Sequence, residues 1–350
     1  AMKILLTGNM GYVGPGLEAQ LRRSRPEATL AGFDMGFFAH CLSGAHMLPE
    51  RRLDVQHFGD LRDLDERVLE GVDAVVHLAG ISNDPMGKAF EDVTADINHR
   101  ASVRLAQQAK AAGVRAFVFA SSCSVYGYAE GAPRDEAAEL NPLTAYARSK
   151  IQTEQDIQPL ADEGFVITSL RFATACGMSE RLRLDLVLND FVAGAVAGGE
   201  INILSDGTPW RPLITVDDMA RAIDWAIDRP AGQGGAFLAV NTGSDEWNYQ
   251  VRDLAAAVRE LMPRVKVSIN EKAQPDKRSY KVDFGLFRRL APRHQPQVDL
   301  KDAVRGLRDG LAAMRFSDRE FRSSDFMRLR VLSGFRERGI LTERLQWAQA

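Results

Sequence analysis

The chain has 350 residues, 45% of them hydrophobic and 26% charged, with a formal net charge of −3. This composition describes a globular protein long enough for one large domain and a smaller one, and it gives no electrostatic footprint for nucleic acid or an anionic membrane. No apolar run approaches the roughly 18 residues that span a bilayer, and Cys41, Cys123 and Cys176 are too few and too scattered for a disulfide framework or a metal site.

Lys3 to Leu6 is a short strand-like run with no signal peptide before it, so a cytoplasmic location is expected. Thr7-Gly8-Asn9-Met10-Gly11-Tyr12-Val13-Gly14 follows at once, then an amphipathic stretch through Leu17 and Leu21. The order is strand, glycine loop, helix. Glycines there permit a tight turn and close approach of the backbone to a pyrophosphate, whose charge then sits at the helix N-terminus. Thr29 to Phe33 reads as the second strand and ends in Asp34, twenty residues after Gly14. A carboxylate at that place accepts hydrogen bonds from adenosine ribose hydroxyls and repels a 2′-phosphate, which selects NAD over NADP.

Gly59-Asp60-Leu61-Arg62-Asp63 precedes an expected helix. Asp73 to Leu78 is a continuous apolar run leading into His77-Leu78-Ala79-Gly80, and Val114 to Ala120 is another, with a helix expected from Asp96 to Ala112 between them. Continuous apolar strands separated by helices indicate an α/β fold around a parallel sheet buried on both faces. Right-handed crossovers make that sheet doubly wound, with its ligand crevice at the carboxyl ends of the strands. Gly8, Asp34, Asp60, Ala79 and Ser121 all fall at such ends. Further on, Tyr146-Ala147-Arg148-Ser149-Lys150 places a phenol and an ammonium on one helix face. An ammonium near a phenol favours the phenolate, so Tyr146 is expected to titrate below its free value of about 10.

With Ser121-Ser122-Cys123-Ser124-Val125-Tyr126-Gly127 added, the chain resembles the extended short-chain dehydrogenase/reductases, in their nucleotide-sugar epimerase and dehydratase branch. TGNMGYVG is similar to that family's TGxxGxxG and YARSK to its YxxxK. HLAG is similar to the companion of the glycine loop, and SSCSVYG to the strand end that carries the catalytic serine. These motifs cover about the first half of the chain. Leu170-Arg171-Phe172, Asp206-Gly207-Thr208-Pro209-Trp210-Arg211-Pro212 before Val216-Asp217-Asp218, and Pro275-Asp276-Lys277-Arg278 agree more loosely. The resemblance implies that Ser122 hydrogen-bonds the reacting sugar hydroxyl, that Tyr146 takes and returns its proton, and that Lys150 holds the nicotinamide ribose. It implies NAD contacts at Gly8, Asn9, Met10, Gly11, Tyr12, Val13, Gly14, Asp34, Asp60, Leu61, Leu78, Ala79, Gly80 and Ser121, with Asn98 shaping the helix near the lysine. Ser124, Arg183, Asn189, Arg211 and Arg278 would bind the nucleotide sugar, Arg211 and Arg278 as phosphate ligands because a guanidinium fork suits phosphate. No metal is implied.

Dehydratases of this family carry acidic residues between the serine and the Val-Tyr-Gly, where this chain has Cys123-Ser124. Neither side chain is a good acid at neutral pH, and the pair resembles that of carbon-4 epimerases of UDP-glucose and UDP-glucuronate. Cys123 is read as a packed small residue. A dehydratase or ketoreductase is the alternative chemistry. A non-catalytic NAD-binding regulator would have lost Ser122, Tyr146 or Lys150, and all three are present.

The expected organisation is an NAD-binding Rossmann domain over 1–170, completed by about 214–243 with a helix from Asp217 to Asp228 and a strand from Ala236 to Val240. A nucleotide-sugar-binding domain takes 171–213 and 244–317, with a helix from Tyr249 to Met262 and a strand from Arg264 to Ile269. A helical tail over 318–350 has Phe321, Phe326, Leu329, Leu332 and Phe335 at helical spacing and no recognisable chemistry. Small alanines at 101, 106, 109, 145 and 147 lie on two helices that form a four-helix dimer interface in relatives, so a homodimer is expected, with no nucleic-acid or membrane partner.

Overall fold

The structure, a computed structural model, describes residues 1–349 except 83 and 275, so Pro275 of the last motif lies outside the described residues. Its strands are β1 (Lys3–Thr7), β2 (Thr29–Asp34), β3 (Val55–Phe58), β4 (Ala74–His77), β5 (Ala116–Ser122), β6 (Val166–Phe172), β7 (Thr174–Cys176), β8 (Glu200–Ile203), β9 (Trp210–Thr215), β10 (Phe237–Thr242), β11 (Asn248–Gln250) and β12 (Lys266–Ile269). Its helices are α1 (Gly14–Ser24), α2 (Asp84–Ala89), α3 (Glu91–Thr94), α4 (Ala101–Ala111), α5 (Ala145–Ile157), α6 (Val187–Gly198), α7 (Val216–Asp228), α8 (Val251–Leu261), α9 (Gly285–Leu290), α10 (Leu300–Ala313) and α11 (Arg328–Glu337).

Seven strands form one parallel sheet in the order β10-β6-β5-β4-β1-β2-β3. This is the doubly wound α/β architecture. The order reverses at β1, between β2 and β4, and a ligand crevice belongs at the carboxyl ends there. Burial on both faces is visible residue by residue. Ile4, Leu6, Val76 and Val118 join one apolar cluster with Leu17 of α1 and Ile223 of α7, while Leu5, Val75, Phe117 and Phe119 join another with Leu105 of α4 and Ile157 of α5. Each of these side chains is at most 1% exposed, and such burial contributes about 1.5–3 kcal/mol apiece. The remaining strands form two small sheets, β11-β9-β7 and β12-β8, against which α6 and α8 pack, with α10 on those two helices.

Several expectations change. No α-helix follows Asp63; the crossover to β4 is two 3-10 turns, Leu61–Asp63 and Glu66–Leu69. Asp60 and Asp65 each accept the backbone N–H two residues on, from Arg62 at 2.9 Å and Arg67 at 3.0 Å, and such local side-chain bonds compete with helix propagation. The helix expected from Asp96 becomes regular only at Ala101, because Ala95–Arg100 is π-helical. Ala101, Ala106, Ala109 and Ala147 are at most 4% exposed within the single chain. They serve its own core, and only Ala145 of the five is partly open. The tail holds one ten-residue helix, α11, and otherwise irregular chain folded back on the body. No helix among the described residues is long and apolar enough to cross a membrane.

Gly14 opens α1 where a Cβ would lie 1.6 Å from the Asn9 carbonyl oxygen. Gly14→Ala must therefore push the glycine loop apart, and we expect a loss of about 1–3 kcal/mol, typical of overpacking. Urea unfolding reads this as a lower midpoint at unchanged slope; an unchanged midpoint would show that the loop yields freely.

Candidate active site

One cleft of about 910 Å³ runs along the carboxyl ends of the strands, from Gly8, Asp34 and Asp60 to Ser122, Tyr146 and Arg211. At its centre β5 ends in Ser122, whose Oγ accepts the Ser124 N–H at 3.1 Å and caps a 3-10 turn over Cys123–Tyr126. Beside it lies the first turn of α5, capped by Thr144, whose hydroxyl accepts the Ala147 N–H at 3.1 Å. One turn on, Lys150 Nζ donates to the Ala120 carbonyl at 2.8 Å and lies 5.0 Å from the Phe119 ring centroid and 5.4 Å from that of Tyr146. Ser122, Tyr146 and Lys150 thus share one wall of the cleft.

The expected direction of the Tyr146 shift is reversed. Burial, helped by the Asp84 carboxylate, pushes Tyr146 up to about 12 against the opposing pull of the Ser122 hydroxyl and Arg183. Burial also pushes Lys150 down to about 8, opposed by Glu154. The physical reason is geometric: the ammonium faces a backbone carbonyl and the ring faces, so desolvation dominates both groups.

The cofactor residues divide into those on the cleft and those behind it. Gly8, Gly11, Tyr12, Val13, Asp34, Asp60, Leu61, Leu78, Ala79, Gly80 and Ser121 line it. Asn9, Met10, Gly14 and Asn98 do not. Asn9 bonds Glu18 at 3.0 Å and Gln56 at 2.6 Å beneath the loop, and the Met10 N–H donates to Asp34 at 3.0 Å. Asn98 grips both backbone groups of Ile81, at 2.6 and 2.8 Å, which fixes the Gly80-Ile81 wall from behind. Ser121 spends its hydroxyl on Glu154 at 2.6 Å. Asp60 holds Arg62 through both carboxylate oxygens.

Three features of this wall fit a dinucleotide. Gly8 has φ +71°, and a Cβ there would fall 2.5 Å from the Ala79 nitrogen, so the backbone itself forms the surface. No side chain caps the start of α1 and no acid lies in its first turn, which leaves the helix terminus open to an anion. Asp34 takes the Met10 and Gly36 N–H groups, at 3.0 and 2.7 Å, and a carboxylate with about four acceptor sites keeps two for a ribose diol.

On the substrate side Ser124, Arg183, Arg211 and Arg278 line the cleft. Asn189 does not: it is fully buried, bonding Tyr12, Gly177 and Arg183 beneath the floor. All three arginines face carboxylates. Arg183 is clamped on Asp185 at 2.8 Å and Ser82 at 2.6 Å, Arg211 reaches Asp276 at 2.9 Å, and Arg278 reaches Asp84 at 3.1 Å. Cys123 is fully buried and donates to the Arg171 carbonyl at 3.1 Å, with its thiol pushed up by burial. Sequence reasoning missed Asp84, which no motif marks, and Glu154, which the spacing of four residues after Lys150 could have revealed.

Lys150 loses its proton near pH 8 in the folded chain and near 10.4 when unfolded. Between those values the unfolded chain binds more protons, so stability rises with pH. In guanidinium titrations of cofactor-free protein, wild type should gain stability relative to Lys150→Met between pH 8 and 10; parallel profiles would refute the early titration.

Residues 4–241 match the NAD-dependent epimerase/dehydratase family. A UDP-glucose 4-epimerase of Rhizobium meliloti is 26% identical over 324 residues, covering 85% of this chain and 93% of the relative. A UDP-glucose-4-epimerase from Stenotrophomonas maltophila with bound NAD and formylated UDP-arabinopyranose superposes with a TM-score of 0.76 at 24% identity, over 90% of this chain and 99% of that one. The NAD-dependent NDP-hexosamine 5,6-dehydratase TunA superposes with a TM-score of 0.75 at 22% identity, over 91% and 100%. These structures share the fold and differ in reaction. NAD is the cofactor the family match carries, and the glycine loop and Asp34 are built to take it. The chain belongs to the NAD-dependent epimerase/dehydratase family.

Proposed function

We propose that the protein epimerises a nucleotide-diphosphate sugar at carbon 4 through a transient 4-keto sugar. The observation that carries the reading is the company kept by Ser122, Tyr146 and Lys150: the next two positions toward the substrate hold no acid. Cys123 points into the core. The Ser124 hydroxyl is buried with no partner among the described residues and borders the cleft, a place for a sugar hydroxyl. Ser122 orients the reacting hydroxyl, and Tyr146, once its own proton has gone to solvent and it stands as phenolate, accepts the sugar's proton as hydride leaves carbon 4. Bound NAD supplies the hydride acceptor. After the sugar turns over, Tyr146 returns the proton, and the reaction is redox-neutral.

One observation favours a second reading. Asp84 is a carboxylate in the cleft close enough to raise Tyr146, and although it stands on α2 and not at the Cys123-Ser124 positions, it could supply the acid that dehydration needs. Its oxygens are held by Thr144 at 2.8 Å and Arg278 at 3.1 Å, which supports the epimerase reading over this one. A cytoplasmic setting fits the three buried, unpaired cysteines. A homodimer across α4 and α5 rests on the resemblance alone, since their outward residues, among them Arg104, Gln107, Arg148 and Gln152, are polar; sedimentation as a monomer at micromolar concentration would remove it.

Tyr146→Phe should lower turnover by about 10² to 10⁴ while NAD stays bound, and Ser122→Ala should cost less, because it removes one orienting bond and leaves the phenol. Cys123→Ala should leave turnover nearly unchanged. Incubation with UDP-, GDP-, CDP- and dTDP-sugars without added cofactor, followed by NMR, decides the reaction. A carbon-4 epimer of unchanged mass is expected; a product lighter by one water establishes the dehydratase, and one formed only with added reduced cofactor establishes a reductase.

A further inference from the structure

The family match ends at residue 241, yet the last part of the chain returns to the cleft. Met327, Arg328 and Leu332 line it together with Asp34 and Asp60. We propose that the segment from Met327 to Gln349 is a cofactor-binding element of this chain, a third wall that closes the adenosine end of the dinucleotide site and slows the release of NAD.

The contacts fall on the two loops that flank adenosine in a doubly wound sheet, those after β2 and β3. Beyond α11 the chain doubles back through a bridge between Leu341 and Trp347. Trp347 Nε1 donates to the Met35 carbonyl, one residue past Asp34, at 2.8 Å, and its ring lies 5.5 Å from both Phe37 and Phe335. On the other loop Arg62, while gripping Asp60, donates to the carbonyls of Arg344 at 2.6 Å and Leu345 at 3.2 Å. Leu332, Leu341 and Leu345 are at most 3% exposed in a cluster with Phe37, Ile81, Met86 and Ile97, so the segment is packed and not merely draped. An adenosine seated between Asp34 and Asp60 cannot pass outward between these loops while the segment is in place.

Arg328 adds charge to this wall. It is 1% exposed, its Nη atoms donate to the carbonyls of Asp325 at 2.8 Å and Arg181 at 3.1 Å, and its guanidinium lies 5.3 Å over the Phe38 ring. Its Nε is buried without a hydrogen-bond partner among the described residues, while the Asp185 carboxylate, which accepts the Arg328 backbone N–H at 3.2 Å, is the counter-charge beside it and is shared with Arg183. Asp185 faces two guanidiniums, those of Arg183 and Arg328, so the three groups together carry a net positive charge on this side of the cleft.

The inference rests on NAD binding and not on the reaction, and its test reads binding. Three proteins are compared after removal of endogenous nucleotide: the full chain, a chain ending at Gly339, and the full chain with Trp347→Ala. NAD and NADP are titrated by calorimetry, NAD release is timed by stopped flow, and melting temperatures are taken without nucleotide. Both altered proteins should release NAD about tenfold faster or more. Should the shortened chain fail to fold, Trp347→Ala decides alone. Release within threefold of the full chain overturns the proposal, as does weakening that only tracks a lower melting temperature without nucleotide. Equal binding of NAD and NADP by the full chain would fault the reading of Asp34 and leave the ratio between the proteins as the test of the tail.

Discussion

The geometry of the site depends on one buried ion pair. Glu154 of α5 and Arg171 of β6 are 5% and 6% exposed and meet at 2.7 Å. Glu154 also accepts from Ser121 of β5 at 2.6 Å and Ser169 of β6 at 3.0 Å, and Arg171 passes the chain on to Tyr126, which donates to Asn241 of β10 at 2.6 Å. Four elements are tied through groups whose polar atoms are satisfied. Such a pair adds little net stability over an apolar one, but losing one partner strands a charge in the interior, at about 3–5 kcal/mol. The pair therefore sets register. It places the helix bearing Tyr146 and Lys150 against the strand that ends in Ser122, and its carboxylate lies one turn from Lys150, where it holds up an ammonium that burial drives down.

The dry surroundings that fix this geometry also explain why the tyrosine does not behave as its spacing suggests. A lysine four residues away can stabilise a phenolate only if its charge is aimed at the phenolic oxygen. Here the ammonium is directed at the Ala120 carbonyl, and Asp84, brought in from another helix, acts on Tyr146 with the opposite sign. The chain's own residues set up a phenol that is protonated at rest, so it must first lose that proton to act as a base, and Ser122 and Arg183 favour that loss.

The parallel core was legible because β1, β2, β4 and β5 are buried on both faces and so read as largely apolar runs, whereas β6 is interrupted by Thr168, Ser169 and Arg171. β3 was not, because it is the edge strand, with Val55 38% and Phe58 66% exposed. The three-residue strands β7 and β11 carry no period at all. Within the site, the glycine loop, Asp34 and the serine, tyrosine and lysine are local signals. The carboxylate partners of Arg183, Arg211 and Arg278 were less visible: Asp185 is two residues from its arginine, but Asp276 and Asp84 are 65 and 194 away. Nor could a pattern show Arg62 meeting Leu345 across 283 positions. Buried satisfied asparagines mislead in the other direction. Asn9 and Asn189, expected among the ligands, bond groups behind the cleft wall, and Asn98, expected to shape its neighbourhood, ties the Gly80-Ile81 wall from behind.

The pairing of Arg211 with Asp276 and of Arg278 with Asp84 has a consequence for recognition. The protein carries its own anionic stand-ins, so under the proposed function a phosphate arriving at these guanidiniums would enter by exchange, displacing a carboxylate that must then find water or another cation. A singly charged anion gains almost nothing by such a swap, whereas two linked phosphates release two carboxylates at the entropic expense of one binding event. Because Asp84 also bonds Thr144, the cap of the helix that bears Tyr146, the same exchange loosens a charge that opposes the phenolate. Under the proposed function, occupancy at the diphosphate end and proton affinity at the sugar end would thereby be linked through a single aspartate.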